Sequence, residues 1–117
     1  MNIQDFASTR DQKRWLVEQL EHAAAWRELK AERYPDDSRN TQCAATLHQT
    51  ATAVKALPAT HELFRHLARI AFLEDSIRER CLDEVNHLIS RAGFSSPNSA
   101  QVVVQRLIEI TDARSAQ

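Results

Sequence analysis

The chain contains one glycine, Gly93, among its 117 residues. At ordinary usage of about 7%, roughly eight glycines would be expected. Hairpin turns, β-bulges and phosphate-binding loops depend on glycine, because it adopts positive φ and lets two backbones approach closely. Its scarcity argues against an all-β fold, a dinucleotide-binding unit and a P-loop. We expect a single all-α domain over residues 1–117, with one core.

Charge and cysteine content narrow the class of protein further. Fifteen basic and sixteen acidic residues leave a formal net charge of −1, whereas a dedicated nucleic-acid binder usually has a basic excess. Cys43 and Cys81 match no metal-site spacing, so we expect reduced thiols in the core. The first residues have neither the basic nor the apolar region of a signal peptide, and no apolar run is long enough to span a membrane. We therefore expect a cytoplasmic protein of bacterial type without a cofactor or a metal.

Apolar spacing and proline positions predict a compact bundle of four helices. Their bounds are about residues 10–33, 41–57, 61–92 and 98–112. Pro35 and Pro58 follow the first two helices, since proline disfavours helical geometry in the residue before it. Gly93 follows the third, where a residue in left-handed conformation commonly ends a helix.

The third predicted helix is the longest and the central one, about 45–50 Å in length. At a helical period of about 3.6 residues, nine of its residues fall in one line. All but Glu74 are apolar, and the nine are Leu63, Leu67, Ile70, Glu74, Ile77, Cys81, Val85, Leu88 and Ala92. We expect Glu74 to pair with an arginine such as Arg78. The alternative is a buried carboxyl group that fixes the register of helices at an interface.

The first predicted helix carries two apolar faces. One is formed by Leu16, Val17, Leu20, Ala23, Ala24 and Ala31. Trp15, Trp26 and Leu29 share the other, because eleven residues return a helix to within about 20° of its direction. This second face needs a partner, either in the same chain or in another protein. Since tryptophan is enriched at interface hot spots, we predict a contact surface for a protein partner or a homodimer at Trp15, His22, Trp26 and Leu29.

A basic edge is predicted along the third helix. Its side chains fall within a sector of about 80°, and they are Arg65, Arg69, Arg80, His87 and Arg91. They would line about 40 Å of helix and could follow nucleic-acid phosphates or an acidic protein surface. Glu62 and Asp83 lie in the same sector, so we favour a solvated face of ion pairs over such a binding role.

Arg80 and His87 are separated by six residues and are nearly eclipsed on a helix. This spacing resembles the Arg-x(4–6)-His signature of the HEPN-type ribonucleases, a family of small all-α proteins. The resemblance implies that the arginine and the histidine pair across a dimer and act on the RNA backbone. Glu84 and His87 have the Glu-x-x-His spacing of di-iron bundles, but such a site needs a second copy of the motif.

The sequence therefore favours a function that depends on surfaces. We expect a non-catalytic protein-interaction or regulatory module that self-associates. The alternative is an RNA-acting, HEPN-like or nucleic-acid-binding helical protein that uses the basic edge.

Overall fold

The computed structural model describes residues 8–94 and 99–112, and within them it contains five α-helices and no strand. The helices are α1 (Thr9–Arg33), α2 (Arg39–Ala56), α3 (Glu62–Ile70), α4 (Asp75–Arg91) and α5 (Ala100–Thr111). The all-α prediction is confirmed. The predicted bounds of α1 and α2 differ from the observed ones by at most two residues at each end, and the predicted end of α5 differs by one. Its predicted start, residue 98, lies outside the described residues. The predicted number of helices is wrong, because the long third helix is in fact two helices.

The break between α3 and α4 lies at residues 71–74. The N–H groups of Phe72 and Leu73 donate to carbonyl oxygens three residues back, at 3.0 and 3.1 Å, and so end α3. Glu74 then adopts an extended backbone (φ −54°, ψ 144°) as the N-cap residue of α4. An unbroken helix over residues 61–92 would be about 48 Å long, which exceeds the 44 Å of the longest principal axis.

Glu74 therefore lies where the apolar line passes from α3 to α4, and it is no member of the core. Its side chain is exposed and accepts a hydrogen bond from the Ser76 hydroxyl at 3.3 Å. Arg78, the partner predicted for it, instead pairs with Asp75 at 2.6 Å. The interruption of the line was a signal of the helix break.

Helices α1 and α2 form an antiparallel hairpin across the loop of residues 34–38. Glu21 pairs with Lys55 at 2.6 Å, and Glu28 contacts His48. These contacts run in opposite order along the two helices, as antiparallel packing requires. Helix α5 closes the other side of the bundle, where it packs against α2, α3 and α4.

The core lies where these faces meet. Its fully buried residues come from every helix and include Leu16, Leu20, Leu47, Val54, Leu63, Phe64, Val85, Val103 and Leu107. Among the described residues, no buried side-chain nitrogen or oxygen lacks a hydrogen-bond partner. Cys43 and Cys81 are buried free thiols, as predicted. Burial raises the pKa of both thiols, because a thiolate is poorly solvated there.

Gly93 follows α4 with the positive φ that the sequence predicted, +78°. The preceding residue, Ala92, has already left helical geometry with ψ 127°. Gly93 also lies against α2. A Cβ atom at this position would lie 2.7 Å from Thr46 Oγ1, 2.9 Å from Cys43 Cα and 2.9 Å from the Gln42 carbonyl oxygen. Glycine is therefore required here for two reasons, the positive φ and the close approach of the end of α4 to the backbone of α2.

Candidate interaction surface

Three large apolar or aromatic side chains are exposed at the carboxyl end of α1. They are Trp26, Leu29 and Tyr34, which we call the aromatic patch, and they are 54%, 49% and 53% exposed. The described residues contain only two other exposed side chains of this kind, Phe72 and Val102. Single exposed apolar residues are normal on a protein surface, whereas a cluster commonly marks a contact site. The patch is therefore the strongest candidate for a functional surface.

Lys30 holds the two aromatic rings of the patch together. Its Nζ atom lies 5.2 Å from the centre of the Trp26 ring and 5.6 Å from that of Tyr34. Both distances are within the range of a cation–π interaction. Trp26, Lys30 and Tyr34 follow one another at intervals of four residues, which brings their side chains to one side of the helix. The sequence prediction missed Tyr34, although this spacing from Trp26 was a signal for it.

The structure divides the four residues of the predicted contact surface. Trp15 is half-buried and packs against the core, whereas His22 is exposed one turn before Trp26. The amino-terminal half of α1 is covered, and Lys13 Nζ there donates to the Leu57 carbonyl oxygen at 2.6 Å. The solvent-facing part of the prediction therefore consists of His22, Trp26 and Leu29.

Arg27 fixes the end of α1 that carries the patch. Its Nη1 atom donates to Asn40 Oδ1 at 3.1 Å, and its Nη2 atom donates to the Ser90 carbonyl oxygen at 2.6 Å. The Ser90 carbonyl belongs to the last turn of α4, where the backbone oxygens lack partners within the helix. A single side chain thus joins α1, α2 and α4.

Phe94 extends this connection. The guanidinium carbons of Arg27 and Arg39 lie 5.3 and 4.4 Å from the centre of its ring. Arg39 in turn donates two hydrogen bonds of 2.8 Å to the carboxylate of Asp37. These bonds lower the pKa of Asp37 to about 2, because they stabilise its charged form.

The predicted basic edge is divided between two helices. All five side chains are exposed, but Arg65 and Arg69 lie on α3, whereas Arg80, His87 and Arg91 lie on α4. The prediction that one helix carries all five along about 40 Å is wrong, because the chain turns at residues 71–74.

The three basic side chains of α4 line a groove between α4 and α5. The groove has a volume of about 750 Å³ and is lined by Ser76, Glu79, Arg80, Asp83, Glu84, His87, Leu88, Arg91, Arg106 and Ile110. Three arginines and one histidine thus share it with three carboxylates. Because the charges nearly cancel, the groove differs from the basic channel that a nucleic-acid backbone requires.

Two chemical sites were considered from the sequence, the Arg80 and His87 pair and the Glu84 and His87 metal spacing. Among the described residues, neither site is completed by a further catalytic or metal-binding side chain. Arg80 and His87 both line the groove, but neither side chain takes part in an ion pair within the described part of the chain. Among the described residues, no three histidine, cysteine or acidic side chains are arranged to hold a metal ion. None of the helices described is both long and apolar enough to cross a membrane.

Comparisons of the chain with protein-family models, with curated proteins and with solved structures find no match.

Proposed function

We propose that this protein is a non-catalytic protein-interaction module and that the aromatic patch is the surface it presents to a partner protein. The observation that carries the proposal is the exposure of Trp26, Leu29 and Tyr34 at one end of α1. Protein interfaces are enriched in aromatic residues at their centre and have a polar rim. The exposed side chains of His22 and Arg33 supply such a rim.

The contacts made by Lys30 and Arg27 support the same proposal. Lys30 lies against both rings, and Arg27 ties this end of α1 to two other helices. A surface that is ordered before binding loses little conformational entropy when a partner docks. The patch is therefore suited to act as a preformed anchor.

Two observations favour binding over catalysis. Both thiols are buried with raised pKa values, so neither is an activated nucleophile. The groove that holds Arg80 and His87 also holds Glu79, Asp83 and Glu84. Carboxylates at these positions would repel the phosphates of RNA. For this reason we do not extend the proposal to a nucleic-acid substrate.

The size of the expected effect follows from the area that Trp26 exposes. A tryptophan that is 54% exposed offers about 110 Å² of mostly apolar surface. Complete burial of this surface would contribute about 2–3 kcal/mol to binding, which is about a 30- to 150-fold change in affinity. We therefore expect Trp26→Ala to weaken partner binding by at least about tenfold.

A photo-crosslinking amino acid at Leu29 tests the proposal in the native cell. We expect it to capture a defined protein, which is then purified and titrated against the wild-type chain and Trp26→Ala. Phe72→Ala provides the matched control, since Phe72 is 64% exposed but lies outside the patch. Equal capture by a crosslinker at Phe72, or equal affinity of the wild type and Trp26→Ala, would contradict the proposal.

A further inference from the structure

Four exposed side chains follow one row along α4. They are Glu79, Asp83, His87 and Arg91, which we call the α4 charge row. All four line the groove between α4 and α5. Residues spaced by four lie on the same side of a helix. Within the described part of the chain, the observed ion pairs involve none of them. The row is thus an unpartnered, strongly patterned surface.

The order of charges along the row is antisymmetric. The two acidic residues come first and the two basic residues follow. Glu79 and Arg91 lie equally far from Val85 in the sequence, and so do Asp83 and His87. A partner complementary to this row must present the same charges in reverse order. An antiparallel second copy of α4 does so.

We propose that the α4 charge row is the contact of a homodimer with two-fold symmetry. Glu79 of each copy lies against Arg91 of the other, and Asp83 lies against His87. A two-fold interface brings the same surface of both subunits together, so every contact occurs twice. The proposal concerns a surface on α4 and does not depend on the aromatic patch of α1.

Helix geometry permits this arrangement. Rows of residues spaced by four are inclined by about 26° to the helix axis, so two such rows align when the helices cross at about 50°. This is the commonest crossing angle of packed helices. Adjacent residues in the row are about 6 Å apart along the axis.

The helix dipole accounts for only part of the charge order. The helix dipole favours acidic residues in the first turn and basic residues in the last turn, but its effect falls off within those turns. It accounts for Arg91, whereas Asp83 and His87 lie in the middle of α4. Glu79 and Asp83 are like charges four residues apart, which disfavours an isolated helix. Opposite charges from a second copy would offset that repulsion.

Sedimentation velocity of the full chain at low ionic strength tests the homodimer. Exposed ion pairs each change affinity by about fivefold at most, so the four contacts give a weak dimer with a dissociation constant on the order of 1 mM. The variants Glu79→Arg and Arg91→Glu each turn two attractive contacts into repulsive ones. We expect each to raise the dissociation constant by at least about tenfold.

Mixing the two variants provides the decisive measurement. A Glu79→Arg copy carries arginine at both ends of the row, and an Arg91→Glu copy carries glutamate at both ends. We expect an equimolar mixture to form a heterodimer at least as stable as the wild-type dimer. The double variant Glu79→Arg/Arg91→Glu restores opposite charges across the interface and should dimerise as the wild type does.

The control variants are Glu62→Arg and Arg65→Glu, which make the same charge changes on exposed residues of α3. We expect them to leave the dimer unchanged. A wild-type chain that stays monomeric at about 1 mM, the dissociation constant expected for such contacts, would overturn the inference, and so would a mixture that fails to associate. A dimer that Trp26→Ala abolishes and Glu79→Arg leaves intact would also overturn it, and would assign self-association to the aromatic patch.

Discussion

Replacing Gly93 by alanine separates the two reasons for which glycine occupies this position. A residue with a side chain costs about 1–2 kcal/mol in left-handed conformation, and φ here is +78°. The added Cβ would also meet Cys43 Cα and the Gln42 carbonyl oxygen at 2.9 Å. Both atoms belong to the backbone of α2 and cannot rotate away, so overpacking adds about 1–3 kcal/mol.

Alanine also restricts the unfolded chain, which offsets about 0.4–1 kcal/mol of this loss. We therefore expect Gly93→Ala to lower the free energy of unfolding by about 2–4 kcal/mol, out of a total of about 5–15 kcal/mol for a domain of ordinary stability. Urea denaturation followed by circular dichroism measures this difference. In thermal unfolding the variant should melt on the order of 10 °C below the wild type.

Two further variants identify the dominant cause. Asparagine tolerates left-handed conformation better than alanine, but its Cβ meets the same atoms, so Gly93→Asn should remain destabilised by about 1–3 kcal/mol. Thr46→Ala removes the Oγ1 atom at 2.7 Å and should recover part of the loss in the Gly93→Ala background. If Gly93→Asn is as stable as the wild type, the close contact with α2 has no energetic weight and the reasoning is refuted.

Three other outcomes follow from the contacts described above. Trp15→Ala should lower the free energy of unfolding by about 2–4 kcal/mol, because Trp15 packs against the core. Trp26→Ala should change it by less than about 0.5 kcal/mol. Urea titrations of the two variants measure this difference. Arg27→Ala should cost about 1–3 kcal/mol, since it leaves two hydrogen-bond acceptors without their charged donor; equal stability of Arg27→Ala and the wild type would contradict this. Asp37 has a pKa of about 2 when folded and about 3.9 when unfolded. Its contribution to the free energy of unfolding is therefore present above pH 4 and is lost as the pH falls towards 2. The difference in melting temperature between the wild type and Asp37→Asn should disappear over that range.

The sequence was sufficient for those parts of the fold that depend on local signals. Pro35 and Pro58 mark the ends of α1 and α2, and Gly93 adopts the predicted left-handed conformation. The break at residues 71–74 was missed because they contain no glycine or proline and are mostly good helix formers. Local propensity therefore predicts a continuous helix across this segment, and only the polar Glu74 in the apolar line distinguishes it.

The candidate surface was predicted only in part, again for a physical reason. Trp15 and Trp26 lie on the same side of α1, so helical periodicity assigns them to one surface. The amino-terminal half of α1 is covered and the carboxyl end is not, which leaves Trp15 half-buried and Trp26 exposed. Periodicity gives the direction of a side chain around a helix, but it does not show how far the neighbouring helices extend.

The break at residues 71–74 also affects how the molecule opens. With nine residues, α3 is shorter than the roughly 12–15 residues that an isolated helix needs for marginal stability in water. Five of its residues are buried, so its helical hydrogen bonds persist only while the surrounding helices hold it. Amide protons within α3 should therefore exchange with solvent through the global unfolding reaction, together with those of the core of α2. A break that shortens one helix thus makes the folding of that segment cooperative with the whole domain.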